Sequence, residues 1–212
     1  ESKLGESKLG ESKLGESKPC INILTEQHKI NTSCKVLLDI IKQYKIIKHT
    51  NILDIGCGNG YYVFGLSDYV NSIYGLDPSS TMLQSAKKTQ KHLNKTNIKF
   101  IKGSIENNSL DLKFDILIFS YSLHFTNDSY KSLLLAINHL TPSGLLIIIE
   151  PTNTYISNKL TRNHKDFDKK HYELKQGLLK KSREDIHIFL KDHELLYYNY
   201  NDFNFITVIK IL

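Results

Sequence analysis

Leu53-Asp54-Ile55-Gly56-Cys57-Gly58-Asn59-Gly60 continues the short apolar run that begins at Asn51. An apolar strand closing in a glycine-rich turn lets the backbone bend sharply and approach a ligand at the start of the next helix. Several nucleotide-binding folds use such a loop, and three details narrow the choice. The spacing is Gly-x-Gly-x-Gly, whereas a dinucleotide fingerprint would put its third glycine at position 61, where Tyr61 stands. Asp54 lies two residues before the first glycine, and a carboxylate facing a pyrophosphate in a partly desolvated site would be strongly repelled. A ligand with positive charge and no phosphate suits it. Asp77 closes the next apolar run, 23 residues further on, where an acid can accept both hydroxyls of a ribose. Asp77 therefore supports a nucleoside without choosing between cofactors. The alternative is a plain strand-to-helix turn, with Asp77 capping the next helix through Asp77-Pro-Ser-Ser80.

Outward from this loop the chain alternates strands and helices. Leu37, Ile40, Ile41 and Tyr44 follow helical spacing upstream, with Asn31, Thr32 and Ser33 as caps. Strands are expected at Asn51 to Ile55, Ser72 to Asp77, Ile98 to Lys102 and Phe114 to Ser120, and a helix between Asp128 and Leu140. Pro142-Ser-Gly144 reads as a turn into a fifth strand, Leu145 to Glu150. Continuously apolar strands between helices mean a parallel sheet covered on both faces. Ser182 to Leu190 reads as a helix, with Ser182 and Asp185 at capping-box spacing. Leu195 to Tyr200 and Phe205 to Leu212, joined through Asn201-Asp202, read as a hairpin. The expected fold is a doubly wound, Rossmann-like α/β sheet, mostly parallel, with an antiparallel C-terminal hairpin.

The first 18 residues repeat Glu-Ser-Lys-Leu-Gly three times and add Glu-Ser-Lys. A period of five builds no stripe on a helix or a strand, so this is a solvated tail, either natural low complexity or a scar of cloning. Residues 19–212 then form one domain, of which 152–181 is a lid or substrate insert. The 212 residues are 40% hydrophobic and 24% charged, a globular balance. No apolar run approaches the ~20 residues of a membrane span, and three cysteines without a CxxC pair fit a reducing, cytoplasmic setting rather than a zinc site. The net charge of +6 admits nucleic acid as a partner, with Lys87, Lys88, Lys91, Lys95, Lys99 and Lys102 in a stretch free of acids. Of these, Lys87, Lys88 and Lys91 fit the solvated face of one helix. His164 and His171, with Asp166 and Asp168 between them, lack tight ligand spacing, so no metal is expected.

Leu53 to Gly60 resembles motif I of the class I S-adenosylmethionine-dependent methyltransferases. Asp77, the segment Phe114-Asp-Ile-Leu-Ile-Phe-Ser-Tyr-Ser-Leu-His-Phe125 and the segment Pro142-Ser-Gly-Leu-Leu-Ile-Ile-Ile-Glu-Pro151 extend the likeness over about residues 30 to 212. The resemblance implies seven strands in the order 3-2-1-4-5-7-6, with the seventh antiparallel. It also implies S-adenosyl-L-methionine as cofactor, held by Asp54, Gly56, Gly58, Gly60 and Asp77, with Ser104, Ile105 and Ser120 at the adjoining strand ends. Many relatives follow the third strand with Gly-Asp, the acid accepting from the adenine amino group. Here Gly103 precedes Ser104, Ile105 and Glu106, and either Ser104 or Glu106 would take that part.

Methyl transfer needs an aligned nucleophile and, for some acceptors, a base. His124, just past the fourth strand, is the candidate base, or else a histidine that shapes the pocket wall. Glu150 is a candidate substrate contact, or the partner of a nearby lysine. Tyr61 and Tyr62 wall the pocket or pack the core. Three functions remain in view: a small-molecule methyltransferase, an RNA or tRNA methyltransferase, and a non-catalytic cofactor-binding partner of another protein. The acceptor and the oligomeric state are not written in the sequence.

Overall fold

The computed structural model of the protein describes residues 32–45, 47–107, 110–152, 169–200 and 204–211. In chain order the elements are α1 (Thr32–Tyr44), β1 (Asn51–Ile55), α2 (Tyr61–Ser67), β2 (Ser72–Asp77), α3 (Ser80–His92), β3 (Ile98–Lys102) and β4 (Phe114–Ser120). They continue as α4 (Ser129–Ile137), β5 (Leu140–Pro151), α5 (Lys169–Phe189), β6 (Glu194–Tyr200) and β7 (Asn204–Lys210). Short 3-10 turns stand at Ile47–His49, Leu123–Phe125 and Leu190–Asp192. The seven strands form one sheet in the order β3-β2-β1-β4-β5-β7-β6. The first five pair in parallel, and β7 runs antiparallel to both β5 and β6.

Period-two alternation sends neighbouring residues of a strand to opposite faces. Ile52, Ile73, Ile116 and Ile147 enter one apolar layer with Leu37 and Ile41 of α1 and Val63 and Leu66 of α2. Leu53, Leu76, Leu117 and Ile148 enter the other, against Leu133 and Ala136 of α4 and Ile186 and Phe189 of α5. Each fully buried Leu or Ile contributes roughly 1.5–3 kcal/mol, so the two layers hold the strand ends in fixed register. Side chains close two helix starts: Ser79 accepts from Met82 N at the start of α3, and Asp128 from Lys131 N at the start of α4.

Two elements differ from expectation. The final helix does not begin at Ser182 but runs from Lys169, so Ser182 is an interior residue rather than a cap. The reason is burial: Leu179, Ser182, Ile186 and Phe189 share one inward stripe, all nearly inaccessible, and the stripe carries the helix upstream through Gly177. A glycine there costs only about 1 kcal/mol. The part of the expected insert at 169–181 is therefore helical. Its remainder at 153–168, the repeat tail and the hairpin residues Asn201-Asp202 lie outside the described residues. The turn expected at Pro142-Ser-Gly144 lies inside β5, where the pairing with β4 shifts register between Phe114 and Ile116 and Ser143 takes a φ of 57°. That is a bulge, which bends the strand without ending it. Among the described residues no helix is long and apolar enough to cross a membrane.

Candidate active site

The glycine loop hangs from β2 as well as from its own strand. Gly56 N and Cys57 N both donate to Leu76 O, at 2.7 and 3.1 Å. Gly56, Gly58 and Gly60 have φ of 74°, 54° and 88°, in the left-handed region that favours glycine. A Cβ on Gly56 would stand 2.4 Å from the Cβ of Ser122, so this glycine is also needed for close approach. A Cβ on Gly58 would meet nothing within 4 Å, because that side of the loop faces open space.

Asp77 organises the loop. It is buried, and its carboxylate accepts from Gly58 N at 2.7 Å through Oδ2 and from Ser79 N at 2.8 Å through Oδ1. Both the glycine loop and the entry to α3 thus depend on one side chain. Each oxygen keeps a further lone pair for a ligand hydroxyl. Gly103 N donates to Asp77 O at 3.0 Å and draws the end of β3 to the same place.

Beside the loop lies a cavity of about 380 Å³, lined by Asp54, Gly56, Cys57 and Gly58, by Tyr61 and Tyr62, and by Ser120 and Tyr121. Asp54 is 1% exposed, and its Oδ1 has no hydrogen-bond partner among the described residues. Burial pushes its carboxyl up to about 7, and the charge of Asp77 pushes the same way. Burial also raises the Cys57 thiol, with Asp54 and Asp77 adding to it, so Cys57 is a poor nucleophile at neutral pH. Tyr61 and Tyr62 meet edge to face, centroids 5.0 Å apart. Burial raises the Tyr62 phenol, and its hydrogen bond with Ser120 works against that shift.

A buried carboxylate oxygen without a partner is costly. The cavity therefore fits a ligand that brings positive charge or N–H donors to Asp54, and it opposes a phosphate there. Ser104 supplies a second orphan, a buried hydroxyl with no partner among the described residues, next to the buried Ile105. Neither residue lines the cavity itself. Glu106, the alternative acceptor, is already engaged: it receives Asn127 Nδ2 at 2.9 Å and Asp128 N at 3.2 Å at the entry to α4.

His124 and Glu150 come together, but away from the cavity lining. His124 Nδ1 bonds Glu150 Oε2, and Leu123 N donates to Glu150 Oε1 at 3.1 Å. Glu150 is 0% exposed, and among the described residues its oxygens meet Leu123 N and His124 Nδ1 rather than a lysine. Its neighbour Ile149 packs on the layer shared with α1 and α2, so Glu150 points to the other face, where Leu123 packs. His124 is 5% exposed and lies against Phe125, ring centroids 4.0 Å apart.

Sequence reasoning missed Tyr121 and Ser122. Tyr121 has a φ of 54°, its N donates to Ile149 O at 2.7 Å, and its hydroxyl accepts from Asn204 Nδ2 at 2.8 Å. Ser122 Oγ donates to Ile55 O at 2.5 Å and braces β1 against the β4 exit. Nothing local marks a tyrosine for a left-handed backbone. The only signal was position, immediately after the Ser120 already singled out.

The profile of the family described as "Methyltransferase domain" matches residues 46–199. The demethylmenaquinone methyltransferase of Lactococcus lactis is 34% identical over 111 residues, 49% of this chain and 42% of that protein. The chain spans about half the length of the curated relatives it matches. Among solved structures, an S-adenosylmethionine-dependent methyltransferase of Clostridium acetobutylicum superposes with a TM-score of 0.66 at 14% identity, covering 91% of this chain and 96% of that one. The plantazolicin methyltransferase BpumL, in complex with S-adenosylhomocysteine, gives a TM-score of 0.65 at 16% identity over 85% of this chain and 83% of that one. At such identities these structures speak for the fold alone.

Proposed function

The chain belongs to the class I S-adenosylmethionine-dependent methyltransferase family, and on that footing we propose that it transfers a methyl group from S-adenosylmethionine to an oxygen, nitrogen or carbon of a small molecule. The observation that carries this reading is Asp54, a buried carboxylate with an unpaired oxygen set against a glycine loop. When bound, S-adenosylmethionine supplies a methyl carbon already activated by a positive sulfur, so the leaving group needs no acid. Asp54 would hold the cationic end of that ligand. Asp77 would accept the ribose hydroxyls on its remaining lone pairs, and Ser104 the adenine amino group, with Ile105 beside it. The loop of Gly56, Gly58 and Gly60 allows the close approach, and Ser120, Tyr61 and Tyr62 wall the site from water. A relative named for demethylmenaquinone supports a small acceptor.

For acceptors that must lose a proton, His124 is the proposed base. Glu150 engages Nδ1, which leaves Nε2 as the nitrogen able to take the proton. In this reading Glu150 is a positioning residue. A general base contributes roughly 10²–10⁴ in rate, so His124→Gln should lower turnover at least about tenfold while S-adenosylhomocysteine binds as before. If melting temperature falls and turnover per folded molecule does not, His124 is structural.

The reading as a whole is tested by incubating the full chain with methyl-labelled S-adenosylmethionine and, in separate arms, a small-molecule extract and total RNA from its source. Label is expected in the small-molecule arm. Label confined to RNA would overturn the acceptor class, and tighter binding of NAD than of S-adenosylhomocysteine would overturn the cofactor.

A further inference from the structure

The buried polar atoms that lack a partner among the described residues fall in two places. Asp54 Oδ1 and Ser104 Oγ lie at and beside the glycine loop. The others, Ser182 Oγ, Arg183 Nε, Asp185 Oδ2 and Thr207 Oγ1, belong to one turn of α5 and to β7. Native proteins leave few such atoms unpaired, and a group of them asks for a missing partner.

A second cavity, of about 200 Å³, opens beside Arg183 and Thr207, the two of these four residues that line it. Arg183, Ile186 and Leu190 line it from the helical side, and Tyr198, Phe205 and Thr207 from the β6–β7 hairpin. It shares no lining residue with the cavity at the glycine loop. The two also lie on opposite faces of the sheet. Asp54 is in phase with Ile52 on the α1 and α2 side, and Thr207 is in phase with Phe205 and Ile209 on the α4 and α5 side.

Its chemistry is specific. The Arg183 guanidinium sits over the Phe205 ring, 5.6 Å from the centroid, and Nη2 donates to Pro151 O at 3.0 Å. Those two contacts hold the planar group in one orientation while Nε stays unpaired. Thr207, 0% exposed, adds an unpaired hydroxyl on the opposite wall. A fixed guanidinium and a hydroxyl lining one cavity can recognise a carboxylate together, and Ile186, Leu190 and Tyr198 offer an apolar bed for whatever carries it. We propose that the cavity between α5 and the β6–β7 hairpin is a second ligand site, separate from the methyl-transfer site, for a small organic acid: a carboxylate on an apolar or aromatic body, anchored by Arg183 and Thr207.

The probe is benzoate, with the neutral amide benzamide of the same shape as control. Each is titrated into the full chain labelled at threonine methyl groups, the Thr207 signal being identified by its loss in Thr207→Val. Benzoate should shift that signal saturably, and benzamide should need at least about ten times the concentration, since hydrogen bonds to a charged group are worth that much. Arg183→Gln should weaken benzoate about tenfold or more and leave benzamide unmoved. By calorimetry, Thr207→Val should weaken benzoate without lowering the melting temperature, because it deletes a buried hydroxyl that has no partner. This second variant keeps the test decisive should Arg183→Gln fold poorly. The proposal is overturned if benzoate leaves the Thr207 methyl unmoved up to its solubility, if benzoate and benzamide bind alike, or if Thr207→Val binds benzoate as the parent does.

Discussion

Replacing Asp54 by Asn should erase a pH dependence that the cavity builds into the protein. Burial, with Asp77 second, raises this carboxyl from 3.8 to about 7. Below pH 3.8 the folded and unfolded chains are both protonated and the group costs nothing. Between 3.8 and about 7 the unfolded chain releases a proton that the folded protein keeps, so stability falls as pH rises and levels off above 7. That difference amounts to roughly 4 kcal/mol. A cationic ligand beside Asp54 favours the carboxylate, so binding at neutral or lower pH expels the proton. If the bound carboxyl titrates near its ordinary value, affinity rises roughly fiftyfold from pH 5 to pH 7 and then flattens. Isothermal titration with S-adenosylmethionine, in two buffers of different ionisation enthalpy, reads affinity and proton release together. The Asp54→Asn variant should bind more weakly at pH 7, show no such rise, and melt higher than the parent at pH 7 without ligand but not at pH 4. A parent affinity that is flat from pH 5 to pH 7, or a variant that keeps the parent's slope, refutes the reasoning.

Asp77→Ala should lower cofactor affinity about tenfold or more, the loss of hydrogen bonds to a charged group worth roughly 1.5–3 kcal/mol. Because Gly58 N and Ser79 N lose their acceptor as well, the ligand-free melting temperature should fall too; an unchanged affinity would place the nucleoside elsewhere. Gly58→Ala should cost about 1–2 kcal/mol of stability from its left-handed backbone alone and obstruct the ligand, whereas Gly56→Ala should cost more, since Ser122 must also move. Denaturant melts and titration of both variants check that order, and equal stability losses would contradict it. Deleting residues 1–18 should leave cooperative unfolding and cofactor affinity intact, and a large drop in melting temperature would show that the repeat packs on the domain.

The parallel half of the sheet was legible because its strands are apolar on both faces and each ends in turn chemistry, as at Ile55-Gly56 and Asp77-Pro78. The inner position of β7 came from family likeness, since pairing partners as far apart as Leu145 and Lys210 leaves no local mark. The cavity residues Asp54, Ser120, Tyr61 and Tyr62 stood out through their place at strand and loop ends. The contacts of Glu150 with Leu123 and His124 left no local mark, because those partners sit 27 and 26 residues away. The long α5 was hidden by polar residues on its outer face, with the inward stripe starting before the first residue that looked like a cap.

The place of β7 has a consequence for biosynthesis. The strand that leaves the ribosome last of the seven is not an edge but an inner one, hydrogen-bonded to β5 on one side and β6 on the other. Until Asn204 to Lys210 have emerged, β5 presents an open apolar edge, Leu145 to Ile149, and β6 has no neighbour to join. An unpaired edge of that composition is prone to pair with another chain. A nascent chain stalled anywhere in the β6–β7 hairpin is therefore a substrate for chaperones or for aggregation, however complete its glycine loop, and a nonsense mutation a few residues before Asn204 would leave β5 and β6 without the strand that joins them.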